Sequence, residues 1–216
     1  MKTMNPIFEQ NYHDYLNQLK FSDAWLRRSS ELGGVVINEG QTVQLPFLNK
    51  MYQVSTSGIT DPQGNRPDYS ICVILLKYLL MNPSYAIENR EWIPFREFKD
   101  AGRGQNTGLS DYSLKKISDL FSNRLSSLKH AVDCIGATTP EEEYPYDLCV
   151  VIEALPRVPL LLLFNDKDKH LPAQTLILYE RRAAYFLDAE CRIMIEWRLF
   201  QHLKRAGSFS TASGPQ

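Results

Sequence analysis

Apolar residues recur at steps of three and four along several segments of the chain, which is the spacing of one face of an α-helix. This spacing predicts helices over residues 6–20 and 114–135, and a final helix that Asp188 caps. Residues 69–82 are apolar on nearly every side, so we expect a helix buried at the centre of the protein. A second short helix is expected between residues 22 and 34, where two glycines end it.

Strand patterns fill much of the remaining sequence. Between residues 33 and 58, β-branched and aromatic residues alternate with polar ones, which predicts a hairpin or a three-strand meander with a tight reversal at residues 48–50. Residues 91–98 predict a short strand, and Pro94 indicates a sheet edge because proline cannot donate to a neighbouring strand. Residues 99–111 are rich in glycine and predict a flexible loop.

The segment "LPRVPLLLLFND", residues 155–166, places five apolar residues between a proline and an acidic turn. Continuous apolar character over this length predicts a strand covered on both faces. We expect it to pair with residues 148–155 as consecutive antiparallel strands, with Pro159 at the strand start or at a bulge. Residues 175–179 predict a further strand. The two turns that flank the apolar segment are expected at one rim of the sheet.

Helices and strands occur in mixed blocks without strict alternation, which is typical of an α+β fold. The sequence therefore predicts a single α+β domain over residues 1–207, in which a mainly antiparallel sheet packs against several helices. Residues 1–34 are its N-terminal helical segment. Residues 208–216 are small and polar, so we expect them to form a disordered tail.

Composition and charge narrow the functional classes. Twenty-four basic and twenty-five acidic side chains leave a formal charge of −1, so nucleic acid is not an expected partner. No apolar run approaches the roughly 18 residues of a spanning helix, and the N terminus carries no export signal. We therefore expect a cytoplasmic protein without membrane contact. The four cysteines lie far apart in apolar segments, which predicts buried thiols and no metal site at Cys72, Cys134, Cys149 and Cys191.

Arg96 and Glu97 are the first candidate ligand-binding residues, because they end a predicted strand beside the glycine-rich loop. Such a pair can bind a carboxylate or phosphate through the guanidinium while the carboxylate orients the ligand or accepts a proton. The alternative is an ion pair at the surface or the sheet edge. The loop sequence "GRGQNTG" lacks the Gly-Lys-Ser/Thr ending of a phosphate-binding loop, so we interpret it as a connection.

Arg181 and Arg182 lie near Tyr185, a combination that can hold a planar anionic ligand by charge and stacking. The alternative is that both arginines form salt bridges with nearby acids. His170 ends the segment "DKDKH", whose carboxylates and imidazole can bind a cation, although the two lysines favour a solvated turn. His202, like the two histidines before it on helical patterns, has no spaced partner, so metal ligation is not expected there. No catalytic triad is recognisable by spacing.

Three segments, "EWIPFRE", "LPRVPLLLLF" and "LPAQTLILYERRAAYFL", occur in this order within residues 43–203. In that arrangement the chain resembles the uncharacterised prokaryotic family called domain of unknown function 3786. The resemblance implies a bacterial protein of anaerobes, where some relatives are joined to a cysteine-rich iron–sulfur segment. This chain contains no such segment, and its loop after "FRE" is longer than the glycine-tyrosine loop usual in the family. A direct redox role is therefore not implied.

Three functions stay open from the sequence. The first is a non-catalytic accessory or binding protein for a small anionic cofactor or a protein partner in anaerobic metabolism, with the cofactor unidentified. The second is an enzyme of unknown reaction whose Arg/Glu-lined pocket unites residues 96–97 with residues 181–182. The third is a structural interaction module, which predicts a large exposed apolar patch in place of a concave polar pocket.

Overall fold

A computed structural model of the chain describes residues 6–19, 29–37, 42–81, 83, 88–102 and 105–209. The helices are α1 (Pro6–Gln18), α2 (Tyr69–Met81), α3 (Gln105–Phe121), α4 (Leu125–Cys134), α5 (Ala183–Phe186) and α6 (Ala189–Phe209). The strands are β1 (Val35–Ile37), β2 (Thr42–Phe47), β3 (Lys50–Ser55), β4 (Gly58–Thr60), β5 (Trp92–Pro94), β6 (Leu148–Leu155), β7 (Val158–Asn165) and β8 (Gln174–Glu180).

The described strands form two antiparallel sheets of four strands each. Strands β1 to β4 form a meander in chain order, with one strand more than the sequence predicts, and the second sheet has the order β5-β8-β7-β6. The two sheets are joined where the backbone N–H of Leu48 donates to the carbonyl oxygen of Ala154 at 3.0 Å. The predicted α+β fold with antiparallel pairing is confirmed.

Strand β7 contains the apolar segment and lies between β6 and β8 inside its sheet. Its residues Leu160–Phe164 are all buried, so the prediction of a strand covered on both faces is confirmed. Pro159 pairs with Glu153 beside a bulge at the strand start, also as predicted. The two flanking turns, however, lie at opposite ends of β7, because eight extended residues span roughly 25 Å. The expectation that they share one rim is therefore wrong.

Strand β5 pairs with β8 and is an edge strand, as Pro94 indicates. The chain does not continue as a strand over the rest of residues 91–98. It turns instead through a short 3₁₀ helix, Phe95–Glu97, whose end is closed by a hydrogen bond from Phe98 N–H to the Phe95 carbonyl at 3.2 Å. Helix α3 then begins inside the predicted loop, so that connection is shorter than expected.

The predicted helix over residues 114–135 is broken into α3 and α4. Asn123, between them, has a positive φ of 58°, which ends the first helix. The freed N–H of Asn123 donates to Asp166 Oδ1 at 2.6 Å. Because the acceptor lies in the turn after β7, the apolar spacing could not reveal this break.

Helices α1, α2 and α6 agree with their predictions, whereas the four-residue α5 was not predicted. Helix α2 is the central buried helix, and Tyr78 on it donates from its hydroxyl to the Leu32 carbonyl at 2.9 Å. Asp188 caps α6 by accepting the Cys191 N–H at 2.9 Å. Helix α6 continues into the predicted tail as far as Phe209, and residues 210–216 lie outside the described residues. Residues 22–28 of the predicted second helix lie outside them as well.

The cysteines differ in exposure. Cys72 and Cys191 are buried as predicted, whereas Cys149 is half-buried and Cys134 is exposed at the end of α4. The prediction of buried thiols is thus wrong for Cys134, because an apolar neighbourhood in sequence does not decide which way a helix residue faces. Within the described part of the chain, no helix is long and apolar enough to cross a membrane.

Candidate functional site

A basic cleft lies between the β1–β4 meander and the C-terminal half of α6, with a volume of about 250 Å³. The loop after β4 and the first turn of α2 complete its walls. We define the basic cleft by its polar lining residues Lys50, Tyr52, Asp61, Arg66, Asp68, Arg198, Gln201, His202 and Arg205. None of these residues was a candidate in the sequence.

Helix α6 supplies one wall of the basic cleft. Arg198, Gln201, His202 and Arg205 line it and occupy positions i, i+3, i+4 and i+7, so successive turns present them on one face. Leu203 lies on the other side of the helix and is fully buried in the core. The helix therefore fixes the polar stripe by burying its apolar stripe.

The hairpin between β2 and β3 places Lys50 at the basic cleft. Leu48 and Asn49 have positive φ angles of 46° and 60°, as in a two-residue type I′ turn, which confirms the predicted reversal. Lys50 Nζ lies 3.2 Å from Asp61 Oδ2. Desolvation opposes the ionised form of Asp61, but hydrogen bonds from Asn65 and Lys50 outweigh it and hold the Asp61 pKa below its usual value.

Arg198 connects α6 to the start of α2. Its Nη1 donates to Asp68 Oδ2 and its Nε donates to Ser70 Oγ, both at 2.6 Å. These bonds fix two of the three guanidinium nitrogens and orient the third, Nη2, at the cleft wall. Helix α2 begins directly after Asp68, so the positive end of its dipole adds to the potential of the cleft.

His202 is surrounded by cations. Burial, followed by the charges of Arg205, Arg198 and Lys50, lowers its pKa to about 4. The imidazole is therefore neutral at pH 7. Burial and the Asp61 carboxylate raise the pKa of Tyr52, on the floor of the cleft, to about 12, so its phenol stays protonated.

The basic cleft has an excess of positive charge. Lys50, Arg66, Arg198 and Arg205 line it, against the two carboxylates of Asp61 and Asp68. Arg66 is also bound by Glu9, with its Nη1 at 2.9 and 3.1 Å from the two carboxylate oxygens. Arg205 is exposed, and no described residue forms an ion pair with it. Arg205 and the remaining donors of Lys50 and Arg198 are available to an anion.

Arg96 and Glu97 are both exposed on the 3₁₀ helix. Arg96 lines a much smaller cavity of about 40 Å³, together with Ser110 and Asp111 of α3. Glu97 does not line that cavity, and neither does Arg181. The Glu91 carboxylate and, to a smaller extent, that of Glu97 nevertheless raise the pKa of Arg181, so the two predicted regions interact electrostatically. Ligand binding at Arg96 and Glu97 stays a prediction.

The two consecutive arginines both bind carboxylates, which is the alternative that the sequence left open. Arg181 forms two hydrogen bonds with Glu91, from Nε at 2.6 Å and Nη2 at 3.0 Å. Arg182 is buried and forms a salt bridge with the equally buried Glu180. Tyr185 is 48% exposed in α5. A planar anion at these residues remains a prediction.

His170 lies in the exposed turn between β7 and β8. Asp168 Oδ1 accepts the backbone N–H groups of His170 and Leu171 at 2.6 and 2.7 Å. The Asp168 carboxylate therefore stabilises the turn, and a solvated turn is what the lysine-rich sequence favours. Among the described residues, no group of three or more His, Cys, Asp or Glu side chains is placed to hold a metal ion.

The signal for the basic cleft was present in the sequence but incomplete. Arg198, His202 and Arg205 have helical spacing and form one polar stripe. His202 lacks spaced metal-ligating partners, but the cations Arg198 and Arg205 lie four residues before it and three residues after it. The meeting of this stripe with Lys50 and Asp68 depends on long-range folding and had no local signal.

Comparison with known proteins identifies the family. No curated protein and no solved structure matches the chain. The family model described as domain of unknown function (DUF3786) matches residues 26–202. These residues contain all three segments on which the resemblance rested, and they include β3, α2 and most of α6. The chain belongs to the DUF3786 family.

Proposed function

We propose that this protein is a non-catalytic accessory or binding protein that holds a small anionic ligand in the basic cleft. The excess of positive charge among the lining residues, with Arg205 unpaired among the described residues, is the observation that carries the proposal. A bound anion would occupy the free donors of Lys50, Arg198 and Arg205. In line with the family resemblance, we place this role in the metabolism of an anaerobic bacterium.

The volume of the cleft limits the ligand to a compact one. Pockets for drug-sized ligands and cofactors measure roughly 300–1,000 Å³, and the basic cleft has about 250 Å³. A tetrahedral oxyanion or a small phosphorylated or carboxylated metabolite fits this size better than a dinucleotide. Ile71 and Pro67 give one wall apolar character, which suits a ligand with a short carbon skeleton.

The pKa values of the lining groups support binding over catalysis. An efficient general acid or base has a pKa near the working pH. His202, at about 4, and Tyr52, at about 12, are both far from neutrality. The enzyme alternative needs a pocket shared by residues 96–97 and 181–182, and the cavity that Arg96 lines does not include Glu97, Arg181 or Arg182. We therefore develop the binding role alone.

Thermal unfolding with inorganic phosphate, sulfate and malonate tests the proposal, at constant ionic strength set with chloride. A ligand that binds only the folded state stabilises it by about 2.7 kcal/mol at one hundred times Kd, so the midpoint should rise with concentration. The variant Arg205→Gln should lose most of this rise. Lys129→Gln, which removes one exposed cation from α4, should keep it. Equal shifts in all three proteins, or none in the unaltered protein, would refute the anion site.

A further inference from the structure

A second polar cluster lies inside the protein, on the first half of α6. Arg192 and Glu196, one helical turn apart, have 0% exposure. Within the described residues, Arg192 Nε and Glu196 Oε2 have no hydrogen-bond partner. Buried charges are costly unless they are paired, so the surrounding atoms determine whether each of the two residues is ionised.

The charge of Arg192 is balanced by a residue other than Glu196. Its Nη2 donates to Asp100, and its Nη1 donates to the Leu187 carbonyl at 2.6 Å. The guanidinium also lies 4.1 Å from the centre of the Phe98 ring, a cation–π contact. No ion pair joins Arg192 to Glu196 among the described residues. A Glu196 carboxylate would therefore be a buried charge without a direct counter-ion.

The Tyr179 hydroxyl decides where the proton of Glu196 lies. Its oxygen is 2.7 Å from the Arg192 carbonyl oxygen, which can only accept, so the single hydroxyl proton of Tyr179 is used there. The same oxygen is 3.3 Å from Glu196 Oε1. At this second contact Tyr179 has no proton left to give and must accept one. We infer that Glu196 is held as a neutral carboxylic acid that donates to Tyr179, forming a proton-dependent lock between α6 and β8.

The groups that face Glu196 from neighbouring elements support this state. Burial is the largest influence and raises the Glu196 pKa to about 7; the Asp111 carboxylate of α3 raises it as well, while Ser110 and Arg192 oppose the rise, as would Tyr179 if it donated to a carboxylate. A neutral acid also explains the unpartnered Oε2, because an unsatisfied carbonyl oxygen costs far less than an unsatisfied carboxylate oxygen.

The proton has a consequence for stability. The folded protein keeps it up to about pH 7, whereas the unfolded chain releases it near 4.5. Its contribution to stability is thus fully present below pH 4.5 and is lost as the pH rises through 7. The folding equilibrium constant should fall on the order of a hundredfold across this window from Glu196 alone. The lock between α6 and β8 therefore weakens as the pH rises through 7.

Carbon-13 NMR of the folded protein, labelled at the glutamate carboxyl carbons, tests the inference. One resonance should titrate with a midpoint near pH 7 and should disappear in Glu196→Gln. In the control Glu190→Gln, which changes an exposed residue of the same helix, that resonance should remain. If every glutamate of the folded unaltered protein titrates near its ordinary value, Glu196 is ionised and the inference is wrong.

The variant Tyr179→Phe distinguishes the direction of the hydrogen bond. If Glu196 donates to Tyr179, removal of the acceptor destabilises the neutral acid and lowers the midpoint. If Tyr179 donates to a carboxylate, its removal raises the midpoint and overturns the lock. This measurement follows one resonance in the folded Tyr179→Phe protein, so it does not require the Glu196→Gln variant to fold.

Discussion

Arg198 on the final helix lies 2.6 Å from Asp68 at the start of α2, between Nη1 and Oδ2. The two residues are 130 positions apart in the chain, and their ion pair joins the two helices that wall the basic cleft. The opposite wall is formed by a hairpin that presents Lys50. The cleft is therefore made by tertiary contacts among three separate segments, and its electrostatics have consequences that can be measured.

His202 should make stability depend on pH. Its folded pKa, about 4, is below the ordinary value of 6.5, so the unfolded chain binds more protons between these values. Stability should rise through this window, be fully present above pH 6.5 and fall as the pH drops toward 4. The effect is on the order of 2 kcal/mol, discounted for solvent screening. Urea unfolding from pH 4 to pH 7 should show this rise weakened in His202→Gln.

Glu196 and His202 should have opposite effects on the free energy of unfolding over nearly the same pH range. The proton on Glu196 makes stability fall as the pH rises, whereas neutral His202 makes it rise, so the two trends partly cancel. Glu196→Gln should therefore show a steeper rise of stability from pH 4.5 to 6.5 than the unaltered protein. Identical urea-unfolding profiles for the two proteins would contradict this expectation.

Gly33 and Gly64 should differ in their tolerance of alanine. Both have positive φ, 85° and 79°, so each substitution carries a backbone cost of about 1 kcal/mol. A Cβ at Gly64 meets nothing within 4 Å, whereas at Gly33 it would lie 2.5 Å from Pro156 Cβ. Gly33→Ala should therefore destabilise by about 2–4 kcal/mol, and Gly64→Ala only by the backbone cost. Urea unfolding compares them, and equal losses would contradict the crowding.

Replacing Arg182 should destabilise the protein more than replacing Arg181, because only Arg182 is buried. Arg182→Ala leaves Glu180 as an unpaired buried carboxylate, and we expect a loss of about 3 kcal/mol. Arg181→Ala removes an exposed pair with Glu91 and should change the free energy of unfolding much less. Chemical denaturation measures both. A larger loss for Arg181→Ala would show that the exposed pair holds β5 to β8.

Cys134 should react first with a thiol reagent. It is exposed, whereas Cys72 and Cys191 are buried, and burial raises the pKa of Cys72 to about 11 and that of Cys191 well above its usual range. Brief treatment with iodoacetamide, followed by mass spectrometry, should modify Cys134 in the folded protein. Cys72 and Cys191 should react only after unfolding. Early modification of Cys191 in a Cys134→Ser control would show that the core opens.

Local patterns predicted the elements of this fold well. The apolar run of β7, the edge position that Pro94 gives to β5 and the Asp188 cap each depend on residues close together in sequence. The break between α3 and α4 was not predictable, because the Asn123 N–H is satisfied by Asp166, 43 residues away. Spacing alone made the two helices look continuous.

The sequence by itself determined the fold class, the pairing of β6 with β7 and the central buried helix, because hydrophobic periodicity and proline or glycine positions act over a few residues. Only the tertiary structure decided which charges meet. It placed Arg181 and Arg182 in ion pairs, and it brought the stripe on α6 to Lys50 and Asp68. Charge interactions depend on distance and burial in space, and neither quantity is carried by local spacing along the chain.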